Sequence, residues 1–461
     1  MKSTLFSSIE RHLHPRIIWA IALFASSLIS ILAVFRGGYI GPDYDRHLKK
    51  MLTFADAIDF TWVHPPPYYL FGHALFWLLG ENNRFIITLS IIQILINSIA
   101  LWWFFVYTEP RFRSRILHLS LALFLSFLPV RVIHATTMGD DWTTIPVIVL
   151  LLFLFEKFQF NGNPSMRYAA LLGIALTLGF WSKYSFLILI PAFFVIYIFL
   201  WINRRWKFRR FIAVCALTFI LPSCLVLITI RLNSADPNSI SNKMWIPKGG
   251  VPGQPDMDFS DLLLVKANDL ELFKAPEYFM RFCDGCDTSE GIRTPHKYSY
   301  LALSHMNVFT DTMNLFQDLP LAPWINTYLI PDFKRRAPWK TPVMQASILL
   351  GTIWTGLALV GTPFVFAGGI LNLLKGRLRR EDVLAILGTA YFLMLFLPIP
   401  YVLDGTLSGF WTPRLILVPL LFFFLSAFLF IDRIAPGARK TAFVILGLVV
   451  VQSLIEVVML V

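Results

Sequence analysis

The chain has 461 residues, of which 56% are hydrophobic, 15% aromatic and 15% charged, with a mean hydropathy of +0.65. Soluble domains carry about 25% charged residues, so a soluble globular protein is excluded. Disorder needs low hydrophobicity and a disulfide scaffold needs more than four cysteines. The net charge of +12 does not point to nucleic acid, because the Lys and Arg sit in short loops between apolar runs, where they set membrane topology.

A bilayer-crossing helix needs roughly 20 apolar residues. Eleven stretches qualify as spans: 17–35, 85–107, 116–133, 142–157, 168–182, 185–202, 211–230, 343–371, 382–400, 413–431 and 441–460. The two around 168–202 are short and meet at Trp181-Ser182-Lys183-Tyr184-Ser185. The apolar stretch 68–80 follows Pro65-Pro66-Pro67 and has only 13 residues, so it is expected to lie along the interface instead of crossing. The fold class is therefore an all-α polytopic membrane protein.

Half of the 40 Lys and Arg fall in the short segments 1–16, 111–115, 157–167, 203–210, 375–380 and 433–440. The positive-inside rule places these in the cytoplasm. The segments 36–84, 131–141, the tip at Lys183, 231–342 and 401–414 then face outward, and the alternation closes only if 68–80 does not span. The first span has basic flanks and no small-residue cleavage pattern, and reads as a signal anchor. The stretch 231–342, rich in Pro, Asn, Asp and aromatics, is expected to fold on the outer membrane surface. The chain thus divides into an N-terminal transmembrane region (1–230), an outer loop region (231–342) and C-terminal transmembrane helices (343–461). The 231–342 loop has no Asn-x-Ser/Thr acceptor, which favours a bacterial inner membrane with a periplasmic site over a lumenal compartment.

Charged groups near the membrane are expensive and tend to be functional, and here they collect on the outer side. The first outer loop carries Asp43, Asp45, Arg46 and His47, then His64 and Tyr68. The second carries Arg131, His134, Asp140 and Asp141. Lys183 stands at the tip between two spans, and Arg414 opens a span from the outer side. A carboxylate can act as general base, whereas an Asp before a span can merely cap it. Lys can snorkel or meet a phosphate, and a guanidinium grips phosphate at two points. Carboxylates beside cations at membrane level suit transfer from a lipid-linked phosphate donor. Cys283 and Cys286 form a lone CxxC, better read as a disulfide or free thiols than as a metal site. Cys215 and Cys224 are expected to be small packing residues. Gln93 and Asn97, the one polar pair read deep in a span, are expected to join helices.

Four local features resemble the GT-C membrane glycosyltransferases, in the branch of the protein O-mannosyltransferases and aminoarabinose transferases. They are the acidic motif Asp43-Tyr44-Asp45-Arg46-His47 after the first span, and His64-Pro65-Pro66-Pro67-Tyr68-Tyr69 before a short helix ending at Gly80. The others are Gly139-Asp140-Asp141 after the third span, and Leu178-Gly179-Phe180-Trp181-Ser182-Lys183 between two short spans. The resemblance implies a GT-C-type bundle of about eleven helices, with an interfacial helix in the first outer loop and one long outer loop. It implies an inverting transfer from a polyprenyl-phosphate sugar to a glycan, lipid or protein acceptor. Asp43 would be the base, with Asp45 and Asp140 as alternative carboxylates. Lys183, Arg414, Arg131 and Arg46 would hold the donor phosphate, and His64, Tyr68, His134 and Asp141 would line the substrate site. No cofactor is firmly implied; a divalent metal held by Asp140 and His134 stays open. Membrane lipids are the surroundings, and nucleic acid is not a partner. The rival readings are a lipid-substrate transporter or flippase, which would place ionisable groups at the midplane, and a non-catalytic assembly subunit.

Overall fold

The structure, a computed structural model, describes residues 15–35, 44–59, 66–80, 83–139, 143–160, 165–183, 186–187, 189–204, 206–235, 305, 308–309, 340–375, 382–383, 386–388, 417–434 and 439–460. Among these residues the elements are helical: α1 (Pro15–Phe35), α2 (Tyr44–Leu52), α3 (Phe54–Ala57), α4 (Pro66–Leu79), α5 (Asn83–Thr108), α6 (Arg115–Phe127) and α7 (Pro129–Thr136). They continue with α8 (Thr144–Phe160), α9 (Met166–Ser182), α10 (Leu189–Arg204), α11 (Phe208–Ala235), α12 (Lys340–Leu374), α13 (Leu417–Ile434) and α14 (Arg439–Leu460). The chain is an all-α polytopic membrane protein. Among the described residues five helices are each long and apolar enough to cross a membrane, and the bent pair α6–α7, taken as one span, makes six.

The α6–α7 bend of 46° has a local cause. Pro129 lacks an N–H and Leu128 leaves helical geometry, so the last carbonyls of α6 lose their partners. The fully buried Arg131 guanidinium fills the gap. It donates to the Ser126 carbonyl and, at 2.8 Å, to Ser26 Oγ of α1. One cation thus caps a helix C-terminus, where positive charge is favoured, and ties α6–α7 to α1.

Polar pairs mark the end of the bundle where α5 passes into α6. Arg16 pairs with Glu109 at 2.9 Å and Arg111 with Glu156 at 3.3 Å. Both carboxylate oxygens of Asp432 accept backbone N–H groups at the start of α6, from Arg113 (2.8 Å) and Ser114 (2.9 Å). Asn203 donates to the Leu373 carbonyl at 2.8 Å and Asn372 to Asp382 at 2.9 Å. The opposite end, where the short helices α2–α4 sit, is called the capped end below.

Three expectations need correction. Val308 and Phe309 of the 231–342 stretch do not lie on a surface; both are buried inside the bundle core. The Phe309 ring rests on Gly351 of α12, beside Phe124 of α6 and Phe424 of α13. A Cβ at Gly351 would come within 2.5 Å of that ring, so the missing side chain makes the seat. His305 anchors the same segment, with Nδ1 2.9 Å from Thr355 Oγ1 and Nε2 3.1 Å from the Ile348 carbonyl. Gln93 and Asn97 are also not the only polar pair within a span. Gln452 and Glu456 of α14 are both fully buried. Gln452 Nε2 donates to Glu456 Oε1 (2.8 Å) and to Ser347 Oγ of α12 (3.0 Å). Cys215 is half-buried, but Cys224 is exposed on the surface of α11 and does not pack.

The Phe309 seat gives the first prediction. Gly351→Val should expel the ring and destabilise the protein by about 1–3 kcal/mol, as overpacking does. Gly447→Ala, whose Cβ would enter open space, should be neutral or stabilising by up to about 1 kcal/mol. Thermal unfolding of both variants in detergent, with limited proteolysis of the 231–342 stretch, separates the outcomes. Unchanged protease resistance in Gly351→Val would show that Phe309 does not anchor the loop.

Candidate functional site

The capped end is organised around two consecutive tyrosines at the start of α4. Both are buried, and each hydroxyl meets a different chain segment. Tyr69 Oη lies 2.7 Å from Nδ1 of His47 on α2, with the two rings stacked at 5.8 Å. Tyr68 Oη donates to Gln93 Oε1 of α5 at 3.1 Å and accepts the Gly139 N–H at 3.0 Å. Gln93 Nε2 donates to the Thr137 carbonyl at 3.0 Å.

Around these bonds Met51, Ala57, Tyr68, Tyr69, Phe85, Ile86, Leu89 and Met138 form a small core of their own. The Met51 side chain lies against Gly72, and the Met51 carbonyl faces His73 Nδ1 at 2.8 Å. Lys50 is buried, with Nζ 3.6 Å from the Asp59 carboxylate and 5.4 Å from the centre of the Tyr69 ring. Thr53 caps α3 by accepting the Asp56 N–H. Gly80 ends α4 in the left-handed region at φ 79°, where a residue without Cβ is favoured.

Lys183 sits at a reversal whose geometry accounts for its sequence motif. Its N–H donates to the Gly179 carbonyl at 2.8 Å, and its own carbonyl accepts the Phe186 N–H at 3.0 Å. A Cβ at Gly179 would meet the Phe186 ring at 2.9 Å and Val147 of α8 at 3.1 Å. Glycine therefore lets the chain fold straight back after Lys183, beside the start of α8. α9 also packs against α4. Lys183 is buried.

Two of the expected carboxylate segments are thus docked on one dipeptide. His47 lies two residues after Asp45 on α2, and Gly139 directly precedes Asp140. The backbone of Asp45 and Arg46 belongs to α2, but their side chains lie outside the described residues. Asp43, His64, Asp140, Asp141 and Arg414 also lie outside them, as do Cys283 and Cys286. Tyr68 and His134 are buried, and the Tyr68 hydroxyl is engaged by Gln93 and Gly139. Arg131 is engaged by Ser26 and Ser126. Among the described residues no group of three His, Cys, Asp or Glu side chains could hold a metal ion. The roles of His47 and Tyr69 were missed from sequence. A usable signal existed: His47 is four residues from Met51, so both share one face of a short helix.

Part of this all-α bundle of apolar helices, including most of the capped end, is similar to a known family. Residues 63–229 match the family model described as dolichyl-phosphate-mannose-protein mannosyltransferase. The match runs from the residue before His64 through most of α11, just over a third of the chain. No curated protein matches the sequence.

Burial drives the Lys50 ammonium below its usual 10.5, with Asp59 opposing the shift. The unfolded chain therefore holds this proton at pH values where the folded chain has released it. Stability should rise with pH through the interval below 10.5. Lys50→Met should remove that rise; a wild-type-minus-variant difference in melting temperature that stays flat from pH 7 to pH 10 would refute it.

Proposed function

We propose that the protein is an inverting glycosyltransferase that moves a sugar from a polyprenyl-phosphate donor to an acceptor hydroxyl at the capped end. That end would face the periplasm of a bacterial inner membrane. The observation that carries the reading is the common docking of the Asp45 helix and the turn before Asp140 on Tyr68-Tyr69, next to the Lys183 reversal. Tyr68, Tyr69, the turn before Asp140 and Lys183 lie within the stretch that matches the family model, whereas the Asp45 helix and Arg414 lie outside it.

The chemistry follows from the charges gathered there. Asp43 takes the proton from the acceptor hydroxyl. The acceptor oxygen attacks the anomeric carbon from the face opposite the phosphate, and the bond between that carbon and the phosphate oxygen breaks. Its electron pair leaves with the polyprenyl phosphate. Phosphate is a good leaving group, so the departing oxygen needs charge stabilisation and no proton. Lys183 and Arg414 supply that charge, assisted by Arg46. His64, His134 and Asp141 border the acceptor. The fixed reversal at Lys183 suits this role, since a pre-placed cation needs no reorganisation during the step. Arg131 is spent within the fold and stabilises the bend of α6–α7.

Full-length protein in lipid nanodiscs, offered a panel of polyprenyl-phosphate sugars, should release free polyprenyl phosphate. Asp43→Asn should lower the rate about 10²- to 10⁴-fold, the usual contribution of a general base. Release by both proteins at similar rates would move the base to Asp45 or Asp140. No release with any donor by folded wild-type protein would sink the glycosyltransferase reading.

A further inference from the structure

The turn between α7 and α8 is held by a closed set of hydrogen bonds. Gly139 N–H donates to the Tyr68 hydroxyl (3.0 Å), the hydroxyl donates to Gln93 Oε1 (3.1 Å), and Gln93 Nε2 donates to the Thr137 carbonyl (3.0 Å). Thr137 and Gly139 are two residues apart, so the three bonds and the turn backbone close into a ring. Every bond runs in the same direction. Such chains polarise one another and strengthen cooperatively. The direction is also fixed: the Gly139 N–H can only donate and the Thr137 carbonyl can only accept. A reversed Gln93 amide would set two oxygens face to face at Thr137.

The ring is dry and rigidly backed. Tyr68 is 2% exposed and Gln93 0%. Asn97 Nδ2 donates to the Gln93 carbonyl at 3.2 Å, one turn along α5. A buried polar ring of this kind is costly if half-satisfied, because each lost member strands a buried partner. Its location is specific. It grips the two residues that flank Met138, and the next residue in the chain after Gly139 is Asp140. Both side chains are buried and bonded within the ring. These groups act on the backbone that leads to the carboxylate.

We propose that Tyr68 and Gln93 are positioning residues, which clamp the 137–139 turn and so hold the backbone from which the candidate carboxylate Asp140 follows in the chain. The inference rests on the transferase reading above and adds to it a role for two residues that touch no reacting atom. The same dipeptide then serves both acidic segments, Tyr68 through the turn and Tyr69 through His47. A shift of about 1 Å in a catalytic group can cost 10²-fold in rate, so the clamp should be visible in kcat.

The experiment compares Tyr68→Phe, Gln93→Leu, Gln93→Glu and Gln452→Leu with wild type. Each is purified as full-length protein in nanodiscs, with polyprenyl-phosphate mannose as probe and phosphate-lipid release as readout. Tyr68→Phe and Gln93→Leu should lower kcat of the folded fraction roughly 10- to 100-fold, with the donor KM unchanged within about threefold. Gln93→Glu completes the ring only in its protonated form, so its kcat should fall as pH rises, while Gln93→Leu stays low throughout. Gln452→Leu removes an equally buried amide that is bonded to α12 instead of the turn. It should lower the melting temperature and leave kcat unchanged. Wild-type kcat in Tyr68→Phe, or losses in all variants that track melting temperature alone, would overturn the positioning role while leaving the transferase reading intact. Absence of release by wild type would instead overturn the transferase reading, and this inference with it.

Discussion

Water is absent from the interior of an apolar helical bundle, so every backbone polar group there must find its partner within the protein. That constraint shapes the whole molecule. The serines of α1 bond to their own helix and to one another's neighbours: Ser27 Oγ reaches both the Leu23 carbonyl (2.6 Å) and Ser98 (2.7 Å). The Ser126 carbonyl, freed where α6 ends at Leu128, receives a buried guanidinium. Asp432 closes two free N–H groups at the opposite end. Where the chain departs from straight helix, a specific side chain satisfies what the departure exposes.

The candidate site is built by the same rule, turned to another purpose. The non-helical turn 137–139 would strand its backbone groups at the top of the bundle. Tyr68 and Gln93 accept and donate in their place, and so hold still the residues that precede Asp140. The Lys183 reversal is satisfied by its own backbone, through Gly179 and Phe186. In the proposed transferase, the charged groups would hang from a rigid, internally paired frame. This favours a fixed electrostatic site over one assembled by large motions.

Much of the fold was legible because the signals were long. Runs of about 20 apolar residues announce spans, and helices overlie ten of the eleven expected stretches; of the stretch 382–400, only residues 382–383 and 386–388 are described. The reversal at Lys183 was legible because Ser-Lys-Tyr-Ser interrupts an apolar run. Short signals were not. Val308-Phe309 is two apolar residues in a polar loop, and only Gly351, 42 positions away, reveals its seat. Arg131 reads as a site cation because its spacing to Asp140 is short; its actual partners, Ser26 and Ser126, lie on other turns and another helix. The motif residues around Asp45, His64 and Asp140 were legible as a group, yet their joint dependence on Tyr68-Tyr69 was not. Hydrogen bonds between residues 22 to 71 positions apart leave no periodic trace.

Glu456 bears on the choice between transfer and transport. An ionisable group sunk at the midplane is the mark of a transport pathway, and a buried glutamate in α14 could be taken for one. Its position argues otherwise. Glu456 lies four residues from the end of α14 at Leu460, about 6 Å along the axis at 1.5 Å per residue. Met459 and Leu460, just beyond it, pack with Val132 and Ile133 of α7 and Ala33 at the end of α1, so the carboxyl sits one turn inside the capped end. Its amide partner Gln452 is committed to Ser347 of α12. The carboxyl orients Gln452, which joins α14 to α12. The carboxyl's placement one turn from the capped end is not the midplane position expected of a transport pathway.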